Sequence, residues 1–389
     1  MDEEPLPPAL RSRLDLASDR SVDVATSPTP VPITLLGTTY TMAQEATWID
    51  DEHFAVGRWD GTLGIYTFAQ SAAQGPVINC AVNSPAQEGI QMITSLDQRS
   101  FASSNDDETI AIWSTASSPP WTDARVRALL RYDPRFGAAN SGVMPRADAG
   151  VRYFVVGHAN GYVTIWRDRD ALQDWVAVGA VDIRSPNPVN PWGLHNIRGI
   201  DQVVRGPGMP LWVVAGSEDG DLTILEVPSG RVISKTCYNA AAKRGINALC
   251  VDGTILLIAN CAVGPTDRNL WAYVVDPNSG RIVPTDAVNL AVDSTAPQVF
   301  NFDVAWDRES SSHPRVFYTS TEEGVLWVGS AAPSGKLTVL GNVPATRPIG
   351  LGQLLNLGSA VCVSRDRISV ANYDLSQFVA SSSQKVSPL

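Results

Sequence analysis

Residues 154–168, FVVGHANGYVTIWRD, hold an apolar run, a polar turn at Ala159-Asn160-Gly161 and a second run that alternates up to Trp166. Alternation in Tyr162-Val163-Thr164-Ile165-Trp166 puts one face of a strand in a core and the other toward polar surroundings. The Asn-Gly pair supplies the positive φ that a tight hairpin turn requires. The segment therefore reads as a β-hairpin.

The same pattern recurs along the chain. It returns at 54–68 (FAVGRWDGTLGIYTF), 101–114 (FASSNDDETIAIWS), 212–227 (WVVAGSEDGDLTILEV) and 316–331 (VFYTSTEEGVLWVGSA). Two weaker copies fit at 255–276 and 360–374. The turn anchors Gly61, Glu108, Gly161, Gly220, Leu270, Gly324 and Asp366 lie 42 to 59 residues apart, about 51 on average. Internal repetition at this period marks a repeat architecture of seven copies. A further strand candidate precedes several hairpins, as in Ala46-Thr47-Trp48-Ile49, 245–252 and 302–306. Another follows Ser-Gly turns such as Pro228-Ser229-Gly230, Asn278-Ser279-Gly280 and Pro333-Ser334-Gly335. Each copy thus predicts four antiparallel strands. Such units bury their apolar faces only when stacked radially into a ring.

The endings Asp107-Glu108-Thr109-Ile110-Ala111-Ile112-Trp113-Ser114 and Gly161-Tyr162-Val163-Thr164-Ile165-Trp166-Arg167-Asp168 resemble the close of WD40 repeats. The resemblance implies an all-β fold, a seven-bladed WD40-like β-propeller over residues 31–380. It also implies that the strand-like 31–36 closes the ring by completing the last blade. The sequence departs from the family in lacking an opening Gly-His dipeptide at each repeat. Only Trp113 and Trp166 take the family's Trp position, with Tyr66, Leu225 and Val275 read as its substitutes. Residues 1–30, proline-bearing and acidic, and 381–389, polar, read as disordered tails. The stretches 116–150, 167–197 and 281–300 are too long for simple turns, and 125–136 reads as a helical turn or an outer strand.

The 389 residues carry 29 Lys plus Arg against 40 Asp plus Glu, a formal charge of −11. That balance argues against a nucleic-acid or anionic-membrane partner. Five cysteines without a C-x-x-C pair, and four histidines, indicate neither a zinc knuckle nor a multi-His metal site, and no cofactor is expected. No apolar run nears the roughly 20 residues of a membrane span, and the acidic opening does not read as a secretory signal. A cytoplasmic or nuclear protein, monomeric or part of a complex, is expected.

No P-loop, G-x-S-x-G, H-E-x-x-H or post-strand G-x-G-x-x-G occurs. WD40-like proteins are rarely enzymes, so the resemblance implies a non-enzymatic scaffold or adaptor. In such a ring the turns between second and third strands share one face. They carry ten carboxylates and three arginines, a field that attracts a basic peptide. The expected partner-binding residues are Trp59, Asp60, Asp106, Asp107, His158, Glu218, Asp219, Glu322 and Glu323, with Trp192 on the proline-stiffened loop 185–196. His158 is expected at the channel mouth. Trp113, Trp166, Trp212, Trp271 and Trp327 fall in strand patterns and read as core, whereas Trp59, Trp121, Trp175 and Trp192 fall in turns or loops. The competing reading is a hydrolase or lyase using channel-mouth carboxylates, with His158 and a divalent cation.

Overall fold

Short alternating runs separated by Gly, Asp and Asn turns fold as the sequence predicts, into antiparallel strands joined by tight hairpins. The computed structural model describes residues 34–35, 43–67, 77–85, 89–105, 107–115, 121–146, 150–186, 193–238, 244–260, 267–292, 299–307, 314–323, 325–344, 354–356, 361–364 and 369–372. In chain order the strands are β1 (Thr34–Leu35); β2 (Ala43–Trp48), β3 (His53–Arg58), β4 (Thr62–Thr67) and β5 (Val77–Asn83). There follow β6 (Met92–Asp97), β7 (Ser100–Ser104), β8 (Thr109–Thr115) and β9 (Ala124–Arg131). Next come β10 (Ala139–Val143), β11 (Arg152–His158), β12 (Tyr162–Asp168) and β13 (Trp175–Asp182). Then β14 (Ile197–Val203), β15 (Leu211–Ser217), β16 (Asp221–Val227) and β17 (Val232–Cys237) precede β18 (Ile246–Asp252), β19 (Ile255–Asn260), β20 (Leu270–Val275) and β21 (Ile282–Val288). The last are β22 (Asn301–Trp306), β23 (Arg315–Thr321), β24 (Val325–Ala331), β25 (Leu337–Pro344), β26 (Leu354–Asn356), β27 (Val361–Ser364) and β28 (Ser369–Asn372).

These strands form a β-propeller of four-stranded antiparallel sheets. The sheets are β2–β5, β6–β9, β10–β13, β14–β17, β18–β21, β22–β25, and a shorter one in the order β1-β28-β27-β26. In that last sheet Thr34 and Leu35 lie opposite Val370 and Ser369. First strands of successive sheets touch from β2 to β6, β10, β14, β18 and β22, and β26 contacts both β22 and β2. The first strands therefore line an axis, and the fourth strands form the rim.

The core sits between sheets. One cluster joins Ala102, Ile110 and Leu130 of the second sheet to Phe154, Val156 and Trp166 of the third. Equivalent clusters join the third to the fourth, the fourth to the fifth and the fifth to the sixth. Trp113, Trp166, Trp212, Trp271 and Trp327 are all buried, as their strand positions predict. Trp121 lies outside the strands, as expected, and is buried, its indole donating to Asp50 Oδ2 at 2.5 Å. Trp175, expected in a turn or loop, is a correction, because it opens the rim strand β13.

Strand register refines the repeat. Phe54, Phe101, Phe154, Val213, Leu256 and Phe317 lie opposite Tyr66, Trp113, Trp166, Leu225, Tyr273 and Gly329. Tyr273, not Val275, therefore takes the family's Trp position in the fifth sheet. In the sixth sheet a Cβ on Gly329 would fall 2.2 Å from the Phe317 ring, which fills the space itself.

Each long stretch contributes a rim strand. Residues 124–131 form the rim strand β9, and Pro134–Phe136 is a single 3₁₀ turn. Asp133 accepts from the Arg135 N–H at 2.9 Å to start that turn, and Gly137 at φ 72° ends it. Rim strand β13 falls within 167–197, and β21 within 281–300. At the hairpin turns Gly61, Gly161 and Gly220 have φ of 75–82°, while Glu108 takes the left-handed conformation at 56° without being glycine.

Candidate channel-mouth site

The hairpin turns between second and third strands lie at the same end of the molecule as the sheet-to-sheet connections, because strands in each sheet alternate direction. At this connection face the first strands begin with a repeated irregularity. One residue is inserted between Ala43 and Glu45, Ala139 and Ser141, Ile197 and Gly199, Ile246 and Ala248, and Asn301 and Asp303. A bulge re-aims the extra side chain. Of the extra residues, Asn140, Arg198, Asn247 and Phe302 line the axial cavity.

That cavity has a volume of about 420 Å³ and takes walls from six first strands. Its charged lining residues are Glu45, Glu218, Asp303 and Arg198. Arg198 Nε donates to Glu218 Oε1 at 3.0 Å, and Asn196 Nδ2 donates to Oε2 at 2.6 Å. One guanidinium thus shares the cavity lining with three carboxylates and is paired to one of them. Hydrogen bonds brace the wall from sheet to sheet: Thr94 Oγ1 to the Gly142 carbonyl at 3.1 Å, Ser141 Oγ to Ile197 O at 2.9 Å, and Asn247 Nδ2 to Asn301 O at 2.7 Å.

The turn carboxylates fall into two groups. Asp60 is exposed, and its Oδ1 accepts from Thr62 N–H at 2.9 Å and Thr62 Oγ1 at 2.7 Å. Asp107 repeats this with Thr109, at 3.1 and 2.6 Å. Such contacts shape a turn without neutralising its charge. Glu323 accepts from the Val292 N–H at 3.1 Å and Glu322 from the Phe300 N–H at 2.8 Å. Burial pushes the Glu322 carboxyl above its ordinary pKa, against that backbone hydrogen bond and with Glu323 adding to the rise. Beside Asp60, the indole of Trp59 is 56% exposed.

Asp219 and His158 differ from the expectation. Asp219 is fully buried, between the Ser185 N–H at 2.9 Å and His195 Nδ1 at 2.8 Å. His158 is fully buried too, with Nδ1 3.2 Å from Gly137 O and Nε2 2.9 Å from Thr164 Oγ1. Burial pulls its pKa down to about 4. It belongs to a set of buried polar residues where the second strand meets its turn: Arg58, Asn105, His158, Ser217, Asn260 and Thr321. Several of these bind an adjoining turn or incoming connection, as Asn105 Oδ1 accepts from Ser84 at 2.5 Å and Asn260 Nδ2 donates to Arg268 O at 3.0 Å. His158 therefore does not face the channel, and the hydrolase reading loses the histidine it placed there. Asp106 and Trp192 lie outside the described residues.

The channel-lining residues Glu45, Arg198, Asn247 and Asp303 carry no local motif; the missed signal is their shared place at the start of each first strand. Among the described residues no group of three or more His, Cys, Asp or Glu is arranged to hold a metal ion, and no helix is long and apolar enough to cross a membrane.

No family model and no curated protein matches this sequence. Among solved structures, the chain is similar to the crystal structure of the Myceliophteria thermophila Cps50 (Swd1) β-propeller domain. The TM-score is 0.58 at 13% identity, over 88% of this chain and 100% of that one. The likeness is one of fold: the chain is a β-propeller.

Proposed function

We propose that this protein is a non-enzymatic scaffold that binds a basic peptide or protein segment at the connection face of a seven-bladed ring. In this reading the pairing of Thr34 and Leu35 with β28 completes the seventh blade, the propeller spans 31–380, and 1–30 and 381–389 are tails. The carrying observation is the channel mouth, where Glu45, Glu218 and Asp303 outnumber the single, already paired Arg198. Exposed Asp60 and the turn carboxylates Asp107, Glu322 and Glu323 extend the same sign outward, and Asp106 belongs with them by sequence. Like charges around one opening add, and they steer a cationic partner from a Debye length of about 8 Å. Trp59, and Trp192 on its proline-rich loop, supply apolar anchors. His158 and Asp219 act from inside, by holding the turns in place. A cytoplasmic or nuclear setting within a protein complex accords with this role.

The test is the association rate of a fluorescent Lys/Arg-rich peptide at low and physiological salt. Glu322→Gln with Glu323→Gln keeps both acceptors for the Phe300 and Val292 amides and removes two charges. Binding should slow several-fold at low salt and lose part of its salt dependence. Equal rates for the variant and wild type at low salt, or a wild-type rate that does not change with salt, would overturn the proposal.

A further inference from the structure

The rim strand β9, ARVRALLR, is eight residues long and contains Arg125, Arg127 and Arg131 with no carboxylate and no proline. It is last in its sheet, so one row of its backbone N–H and C=O groups faces outward. No other described rim strand carries an arginine: β5 reads VINCAVN, β13 WVAVGAVD, β17 VISKTC, β21 IVPTDAV and β25 LTVLGNVP. The lone rim lysine, Lys235, is tied to Asp221 at 3.0 Å and to two backbone carbonyls.

On β9 the cations are differently placed. Arg125 Nε pairs with Asp123 at 3.1 Å, an exposed contact of little strength. Arg127 is the inserted residue at the bulge opposite Ile112 and Trp113, and its Nε donates to the hydroxyl of Ser114 at 2.6 Å. Among the described residues neither Arg127 nor Arg131 makes an ion pair, although the chain carries eleven more negative than positive charges. Val126 and Leu129, 37% and 45% exposed, stand on either side of Arg127.

We propose that β9 is a docking edge for an extended acidic segment of a protein partner, which adds to the second sheet as a fifth strand. Backbone pairing along β9 supplies affinity without sequence preference. Arg127 and Arg131 select carboxylates, for which a guanidinium is suited by its paired donors. Val126 and Leu129 give β-branched or aliphatic neighbours on the added strand a surface to cover. This edge is opposite in charge preference to the channel mouth and independent of it.

The test uses a fluorescent decapeptide of alternating Glu and Val at physiological salt. Wild-type protein should bind it saturably, with new hydrogen-exchange protection at backbone amides within 124–131. Arg127→Gln with Arg131→Gln should weaken binding about tenfold or more while the melting temperature stays unchanged. Arg127→Glu with Arg131→Glu should exchange the preference to a Lys/Val peptide. A peptide of the same composition with proline at its centre should bind at least about tenfold more weakly. Glu322→Gln with Glu323→Gln should change nothing, which separates this edge from the channel mouth. Equal binding of the proline peptide would reduce the effect to charge alone and overturn strand addition. Absence of binding, unchanged affinity of the Gln variant, or protection elsewhere than 124–131 would overturn the docking edge.

Discussion

Asp219 Oδ1 lies 2.8 Å from Nδ1 of His195, joining the hairpin turn of the fourth sheet to the connection arriving from the third. The other carboxylate oxygen accepts from the Ser185 N–H at 2.9 Å, so both ends of one connection converge on a single buried side chain. An acid in a hairpin turn is thereby a fastener between neighbouring sheets. Replacing His195 with Ala leaves Asp219 buried with one partner fewer. Stability in urea should fall by about 1–3 kcal/mol, the range for a buried group losing its hydrogen bond. A change below about 0.3 kcal/mol would show that water replaces the imidazole without loss.

Trp166 and Trp59 make a contrasting pair. Trp166 is 5% exposed between the second and third sheets, and its indole donates to Thr164 Oγ1 at 3.0 Å. Trp166→Ala should cost about 3–5 kcal/mol of stability. Trp59→Ala removes an exposed ring and should leave stability within about 0.5 kcal/mol while weakening binding of a basic peptide. Chemical denaturation and peptide titration measure both, and a large stability loss for the Trp59 variant would make that ring structural.

His158 should stay neutral throughout the physiological range. Burial holds its pKa at about 4, so protonation is disfavoured in the folded state. This group therefore weakens the fold as pH falls from about 6.5 toward 4. In an NMR titration its ring protons should show no midpoint above pH 5. A midpoint near 6.5 would place the ring in solvent.

Asp201 works in the opposite direction. Burial, aided by the nearby Asp252 carboxylate, pushes its pKa up to about 6, against hydrogen bonds from the Val251 and Gln202 amides at 2.7 Å. A raised carboxyl contributes stability that is complete below its ordinary pKa of 3.8 and lost as pH rises through about 6. Acidification from pH 7.5 to 4.5 should therefore move the difference in melting temperature between wild type and Asp201→Asn in the wild type's favour. A pH-independent difference would show that Asp201 does not titrate there.

Much of the hairpin pattern was legible in the sequence, since strand alternation and turn chemistry act over a few residues. Glu108 shows its strength: it holds a glycine conformation because the strands on both sides demand the turn. Register was less legible. Tyr273 and Val275 lie two residues apart on one face of β20, and only pairing with Leu256 tells which takes the Trp position. The candidate site was legible only in part. Asp60, Asp107, Glu322 and Glu323 were singled out because hairpin turns share a face, whereas Glu45 and Asp303, which line the cavity, occupy inner-strand positions that carry no motif.

The sequence by itself determined that this protein is built of repeated β-hairpins, because period-two hydrophobicity, Asp/Asn-Gly turns and strand-borne tryptophans are local properties of the chain. Tertiary structure alone decided which turn acids meet solvent. Asp60 and Asp219 occupy comparable turns, yet one is exposed and the other buried. The difference lies in the connection arriving from the preceding sheet, which lays His195 and Ser185 over Asp219. The channel charge has the same origin. Glu45 and Asp303 stand far apart in the chain, and they share one cavity only because successive sheets turn about a common axis to bury their apolar faces.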